Sequence, residues 1–145
     1  MPNWCSNRVT FASEDHDTID FIRGAMDSST PFQILRPEPD WRQTPNEKGW
    51  LPGPKYLSPW SGHYFPDGTI DDRWYGWRLA HWGTKWDIDE AGVDCTDDMS
   101  DFLEYEFLTA WGPPSELCLY LREKFEDLDI TWFYDEPGMA MAGYL

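Results

Sequence analysis

A chain of 145 residues, 41% hydrophobic and 17% aromatic, can bury a core as one domain without a disulfide or metal staple. Its 27 acidic and 11 basic side chains leave a formal net charge of -16, which argues against direct contact with nucleic acid, because phosphate binding relies on Lys and Arg. Cys5, Cys95 and Cys118 are odd in number and form no Cys-x-x-Cys, so neither a disulfide framework nor a zinc knuckle is expected, and a reducing, cytoplasmic setting is.

The imbalance is uneven. Residues 1–82 hold 11 acids and 8 bases, net -3, whereas residues 83–145 hold 16 acids and 3 bases, net -13. No basic residue lies between Lys85 and Arg122. Such a surface attracts basic partners or cations, and it also keeps a tryptophan-rich protein in solution. The N-terminal residues lack the apolar run of a signal peptide, and no stretch approaches the roughly 18 apolar residues of a membrane span, so no membrane association is expected.

Trp4 to Phe11 alternates as a strand, with Cys5, Asn7, Val9 and Phe11 on one face and Trp4, Ser6, Arg8 and Thr10 on the other. Ser13 is a candidate cap for a helix that ends near Asp27, with Ile19, Ile22 and Met26 at helical spacing. Eight prolines between Pro31 and Pro66, interleaved with glycines, predict short regular structure at most. The aromatic residues Trp41, Trp50, Tyr56, Trp60, Tyr64 and Phe65 nonetheless imply a loop packed back on the domain. Asp71 and Asp72 offer caps for a helix from about Arg73 to Trp82, which Gly83 stops. Thr84 to Ile88 reads as a strand, and Asp89 to Asp101 as an acidic turn.

Phe102 to Trp111 alternates again, with Leu103, Tyr105, Phe107 and Trp111 on one side and Glu104 and Glu106 on the other. Pro113 and Pro114 open a helix striped by Leu117, Leu121, Phe125 and Leu128, and Ile130, Trp132 and Tyr134 share one face of a last strand. The expected fold class is therefore α+β, a single domain over residues 1–145. It is a ferredoxin-like split βαβ sandwich, an antiparallel sheet with two helices on one face, carrying a long Pro- and Trp-rich insertion at 31–70 and an extra helix.

Four stretches carry a family resemblance: Met1-Pro-Asn-Trp-Cys-Ser-Asn-Arg-Val9, Trp82-Gly-Thr-Lys-Trp86, Phe107-Leu-Thr-Ala-Trp-Gly-Pro-Pro114 and Tyr134-Asp-Glu-Pro-Gly-Met139. Together they resemble the YubB-type, ferredoxin-like domain family of phages and conjugative plasmids. Residues 31–70 have no counterpart in it. The resemblance implies an accessory protein of a mobile element, acting in the host cytoplasm, and brings no catalytic residues with it.

Signals of catalysis are thin. His16, His63 and His81 have no metal spacing, and neither a nucleophile elbow nor a phosphate-binding loop occurs, so no enzyme, no cofactor and no metal is expected. Asp87, Asp89 and Gly92 fit part of a calcium loop, but Ala91 and Asp98 occupy positions where such a loop needs a ligand and a glutamate. The leading expectation is a protein-binding module that presents Asp94, Asp97, Asp98, Asp101, Glu104 and Glu106 to a basic surface on a host protein, standing in for nucleic acid and antagonising host defence. The alternative is a small-ligand or nucleotide binder using Trp60, Trp74, Trp77 and His81.

Overall fold

The computed structural model describes residues 3–53, 63–88 and 92–145. Five strands form one antiparallel sheet: β1 (Trp4–Ala12), β2 (Asp94–Asp98), β3 (Phe102–Ala110), β4 (Asp129–Glu136) and β5 (Met141–Tyr144), in the order β2-β3-β1-β4-β5. Four helices accompany them: α1 (His16–Met26), α2 (Pro31–Leu35), α3 (Arg73–His81) and α4 (Ser115–Lys124). With β5 set aside, the path β1-α1-β2-β3-α4-β4 places β3 between β1 and β2, and β1 between β3 and β4. That is the split βαβ topology, and the fold is ferredoxin-like.

The alternation along β1 sorts the sheet into two faces. Cys5, Asn7, Val9 and Phe11 are buried, while Trp4, Ser6 and Arg8 are exposed. Leu103, Tyr105 and Phe107 from β3 and Trp132 from β4 join the same buried face, which packs on Ile19, Ile22 and Met26 of α1 and Leu117, Cys118 and Leu121 of α4. Edge-to-face contacts of Trp132 with Phe11 and Phe107, at centroid separations of 6.4 and 5.7 Å, tie the strands into one core. Burying that many large side chains, at roughly 1.5–3 kcal/mol each, is the main favourable contribution to folding. Among the described residues, no helix covers the other face of the sheet.

Several local expectations are corrected. Asp15, not Ser13, caps α1, accepting the Asp17 amide, while the Ser13 hydroxyl accepts the amide of Asp15. Thr84 to Ile88 is not a strand. Instead the Thr84 hydroxyl donates to the Ala110 carbonyl, and the Asp87 carboxylate accepts the amides of Phe32 and Gln33 at the start of α2, at 2.9 and 3.0 Å. The second strand of the fold is Asp94–Asp98, inside the supposed acidic turn, and β5 forms in what reads as a tail. Trp111 does not continue the buried side of β3. It follows the strand with a left-handed φ of 71° and is exposed.

The insertion is tied down at both ends. Phe32 and Leu35 of α2 lie in the core, and Trp82, fully buried, packs edge-on against Phe32 while its indole N–H donates to the Arg36 carbonyl at 3.0 Å. Gly83 has a φ of 89°, and a Cβ there would stand 2.9 Å from the Ser115 amide nitrogen. Only glycine permits that turn and that approach, which lets the Trp82 carbonyl accept the Leu117 amide of α4.

Candidate functional site: an acidic open sheet face

The strand register decides which carboxylates meet. Asp94 stands opposite Glu106, Glu106 opposite Arg8, and Arg8 opposite Phe133, with Tyr144 beyond it. A second row runs Asp97, Glu104, Thr10 and Thr131. Side chains on one face recur about 6.8 Å apart along a strand and about 4.8 Å apart between strands, so Asp94, Asp97, Glu104 and Glu106 form a compact anionic array. Glu104 is oriented by the Thr96 hydroxyl, which donates to its carboxylate at 2.8 Å. The only cation among the strand residues of this face is Arg8, paired with Glu106 at 2.9 Å.

Two of the predicted residues lie elsewhere. The irregularity between Cys95 and Asp97 re-phases β2, and Asp98, opposite Leu103, turns toward the helical side and pairs with Arg23 of α1 at 3.0 Å. Asp101 sits at the hairpin end, where its carbonyl accepts the Ser13 amide. There it lines an open depression of about 430 Å³ with Ala12, Ser13, Glu14, Asp127 and Asp129. In that depression the Ser13 hydroxyl, at 2.8 Å, holds the Asp127 carboxyl below its usual range, with help from Thr18.

The sequence reading missed Asp129 and Asp135, which stand opposite Ala12 and Ser6 on the open face, and Glu14 and Asp127 in the depression. The signal was present for the first two. If Ile130, Trp132 and Tyr134 point one way, Asp129 and Asp135 point the other.

The tryptophan helix is arranged differently. Trp77 stacks on His81 at 4.4 Å and meets Trp82 edge-on at 5.8 Å, and His81 Nδ1 lies 2.8 Å from the Trp77 carbonyl. The Arg78 guanidinium lies over both Trp74 and Trp82, while pairing with Glu38 of the insertion. Arg73 grips Asp71 through two hydrogen bonds of 2.9 Å and donates to the Trp41 and Pro45 carbonyls. Burial opposes ionisation of Asp71, but the Arg73 side chain and amide outweigh it and hold that carboxyl below its usual range. Trp74, Trp77 and His81 are half-buried, the His81 carbonyl accepts from Arg36 of the insertion, and Trp60 lies outside the described residues.

The calcium-loop reading loses its first ligand, since Asp87 caps α2 from a distance of 55 residues; burial pushes its carboxyl up, against the three amides it accepts. Asp98 is paired with Arg23, and Asp89 and Ala91 lie outside the described residues. Among the described residues no group of three or more His, Cys, Asp or Glu side chains could hold a metal ion. All three cysteines are free, and burial pushes the Cys5 thiol up to about 11.

Residues 81–145 match the family model described as the ferredoxin-like domain in Api92-like protein. That region supplies β2, β3, α4, β4 and β5, while the central strand β1 comes from outside it. The crystal structure of protein api92 from Yersinia pseudotuberculosis is similar over 99% of this chain and 93% of that one, with a TM-score of 0.51 at 11% identity. That likeness concerns the fold. No curated protein matches the sequence. Among the described residues, no helix is long and apolar enough to cross a membrane.

Proposed function

We propose that this chain is a non-enzymatic accessory protein of a phage or plasmid that binds a basic surface on a host protein through its open sheet face, in place of nucleic acid, and so antagonises host defence. The observation that carries the reading is the array of Asp94, Asp97, Glu104 and Glu106, extended by Asp129 and Asp135, with Arg8 its one strand-borne cation. A rigid sheet holds these carboxylates at spacings that flexible acidic tails do not keep, so little ordering opposes association. Proteins that grip nucleic acid present Lys and Arg arrays that recognise repeated anions, and the same arrays accept repeated carboxylates. The mobile-element resemblance of the four sequence stretches supplies the biological setting.

The test is capture of partners from host lysate by the intact protein and by a variant carrying Asp97→Lys and Glu104→Lys. The expected result is a captured nucleic-acid-binding protein that the variant fails to retain and that about 1 M salt releases, where the screening length falls to roughly 3 Å. A partner that survives both charge reversal and high salt would sink the reading.

A further inference from the structure

The two edges of the sheet are built to opposite specifications. An edge strand displays unpaired amides and carbonyls that invite a further strand, and proteins blunt such edges with charge, proline or bulges. Edge β2 has all of this but proline: three of its five residues are aspartates, its register breaks between Cys95 and Asp97, and Arg23 braces Asp98. Edge β5, Met141-Ala-Gly-Tyr144, has none of it. It pairs with β4 in unbroken register through four residue pairs, carries no charge and is largely exposed, Tyr144 at 72%.

The hydrogen-bond phase tells which groups are free. The Leu145 amide donates to the Trp132 carbonyl at 2.9 Å, so Leu145, Gly143 and Met141 direct their amides toward β4. Ala142 and Tyr144 therefore point their N–H and C=O groups outward, and neither has a partner there among the described residues.

We propose that β5 accepts an extended basic segment of a protein partner by strand addition. This deepens the proposed function and rests on its choice of a basic partner. The side chains beside the free edge select the charge. On the open face, Asp135 stands behind Ala142, whose methyl group is too short to screen it. A lysine or arginine opposite Ala142 lies across that methyl group onto the Asp135 carboxylate. Phe133 stands behind Tyr144, at a centroid distance of 5.3 Å, and the exposed Tyr144 ring is open to a second cation two residues along the added strand. A second copy of this chain fits poorly, because strand pairing through β5 would bring together two halves that each carry a net charge of -13 over residues 83–145. Main-chain bonds from Ala142 and Tyr144 give grip, and the alternating cations give selectivity.

The probe is a lysine–valine alternating hexapeptide added to the full chain, read by residue-resolved amide exchange. The expected result is slowed exchange at Ala142 and Tyr144, with no slowing for the glutamate–valine counterpart. Ala142→Pro removes one outward N–H and leaves the β4 ladder intact, which unchanged protection of the Gly143 amide verifies; it should weaken peptide binding about tenfold. The proposal is overturned if the basic peptide produces no slowing at about 1 mM, if both peptides bind alike, or if Ala142→Pro changes nothing. It is equally overturned if slowing grows with protein concentration without peptide, which would mean that a second copy fills the edge. Asp97→Lys with Glu104→Lys should leave peptide protection in place, so loss of the acidic-face reading and loss of this one are separable.

Discussion

The insertion and the open sheet face handle charge in contrary ways. Around the insertion, three arginines are drawn inward: Arg73 lies on Asp71, Trp41 and Phe65, Arg78 on Glu38, Trp74 and Trp82, and Arg36 donates to the His81 carbonyl while covering the Tyr120 ring. On the open face, carboxylates stand outward with Arg8 as their one cation among the strand residues. Where a charge is partnered and half-buried, its removal is felt by the fold; where it is exposed and repelled by its neighbours, removal is felt by whatever binds. The difference teaches that net charge alone says little about this molecule until each ion is assigned to one of these two roles.

The largest expected effect lies at the anchor. Trp82→Ala, which empties a fully buried indole site and strands the Arg36 carbonyl, should lower stability by about 3–5 kcal/mol in denaturant unfolding. Arg78→Met keeps much of the stem's packing but leaves Glu38 without its cation, only the Trp41 indole still donating to its carboxylate; a loss of about 2–3 kcal/mol is expected, measured the same way. If Arg78→Met were neutral, the inward cations would not be holding the insertion. Glu136 mixes the two regimes, being fully buried yet without a hydrogen-bond partner for either carboxylate oxygen among the described residues. Glu136→Met should therefore raise stability by about 1–3 kcal/mol and increase the melting temperature by several degrees. On the face, Asp97→Lys with Glu104→Lys should change stability by no more than about 0.5 kcal/mol while removing partner capture. Smallest of all, thiol labelling of the native protein should reach Cys95 alone among the three cysteines, since Cys5 and Cys118 are buried.

Much of this contrast was legible in the residues. The alternation of Cys5, Asn7, Val9 and Phe11 against Trp4, Ser6 and Arg8, and of Leu103, Tyr105 and Phe107 against Glu104 and Glu106, fixes both faces of the central strands. The helical stripes of Ile19, Ile22 and Met26 and of Leu117 and Leu121 supply the layer that covers one of them. The strand Asp94–Asp98 was not legible, because aspartate is a poor strand former and every side chain of this edge is exposed, leaving no apolar period to read. Thr84 to Ile88 misled for the opposite reason. Its alternation is real, but Thr84 and Asp87 use their polar groups to bond Ala110 and cap α2, contacts made across 26 and 55 residues that no local pattern encodes. The acidic array was half readable: composition marks the acidic half of the chain, and only the register could separate Asp98 and Asp101 from the four carboxylates that share a face.

Arg8, the one cation among the strand residues of the acidic face, bears on motion before contact. With net charge concentrated in residues 83–145 and Arg36, Arg73 and Arg78 of the first half turned inward, the molecule has an anionic side, and its field reaches beyond the surface itself. A positively charged body drifting past is rotated toward that side while still a Debye length away, so productive encounters outnumber those expected from random collision, and dilution of the salt quickens them. Arg8, tied to Glu106, is the one strand-borne charge opposing that torque, and its replacement by a neutral residue would be read in the association rate rather than in the lifetime of any complex.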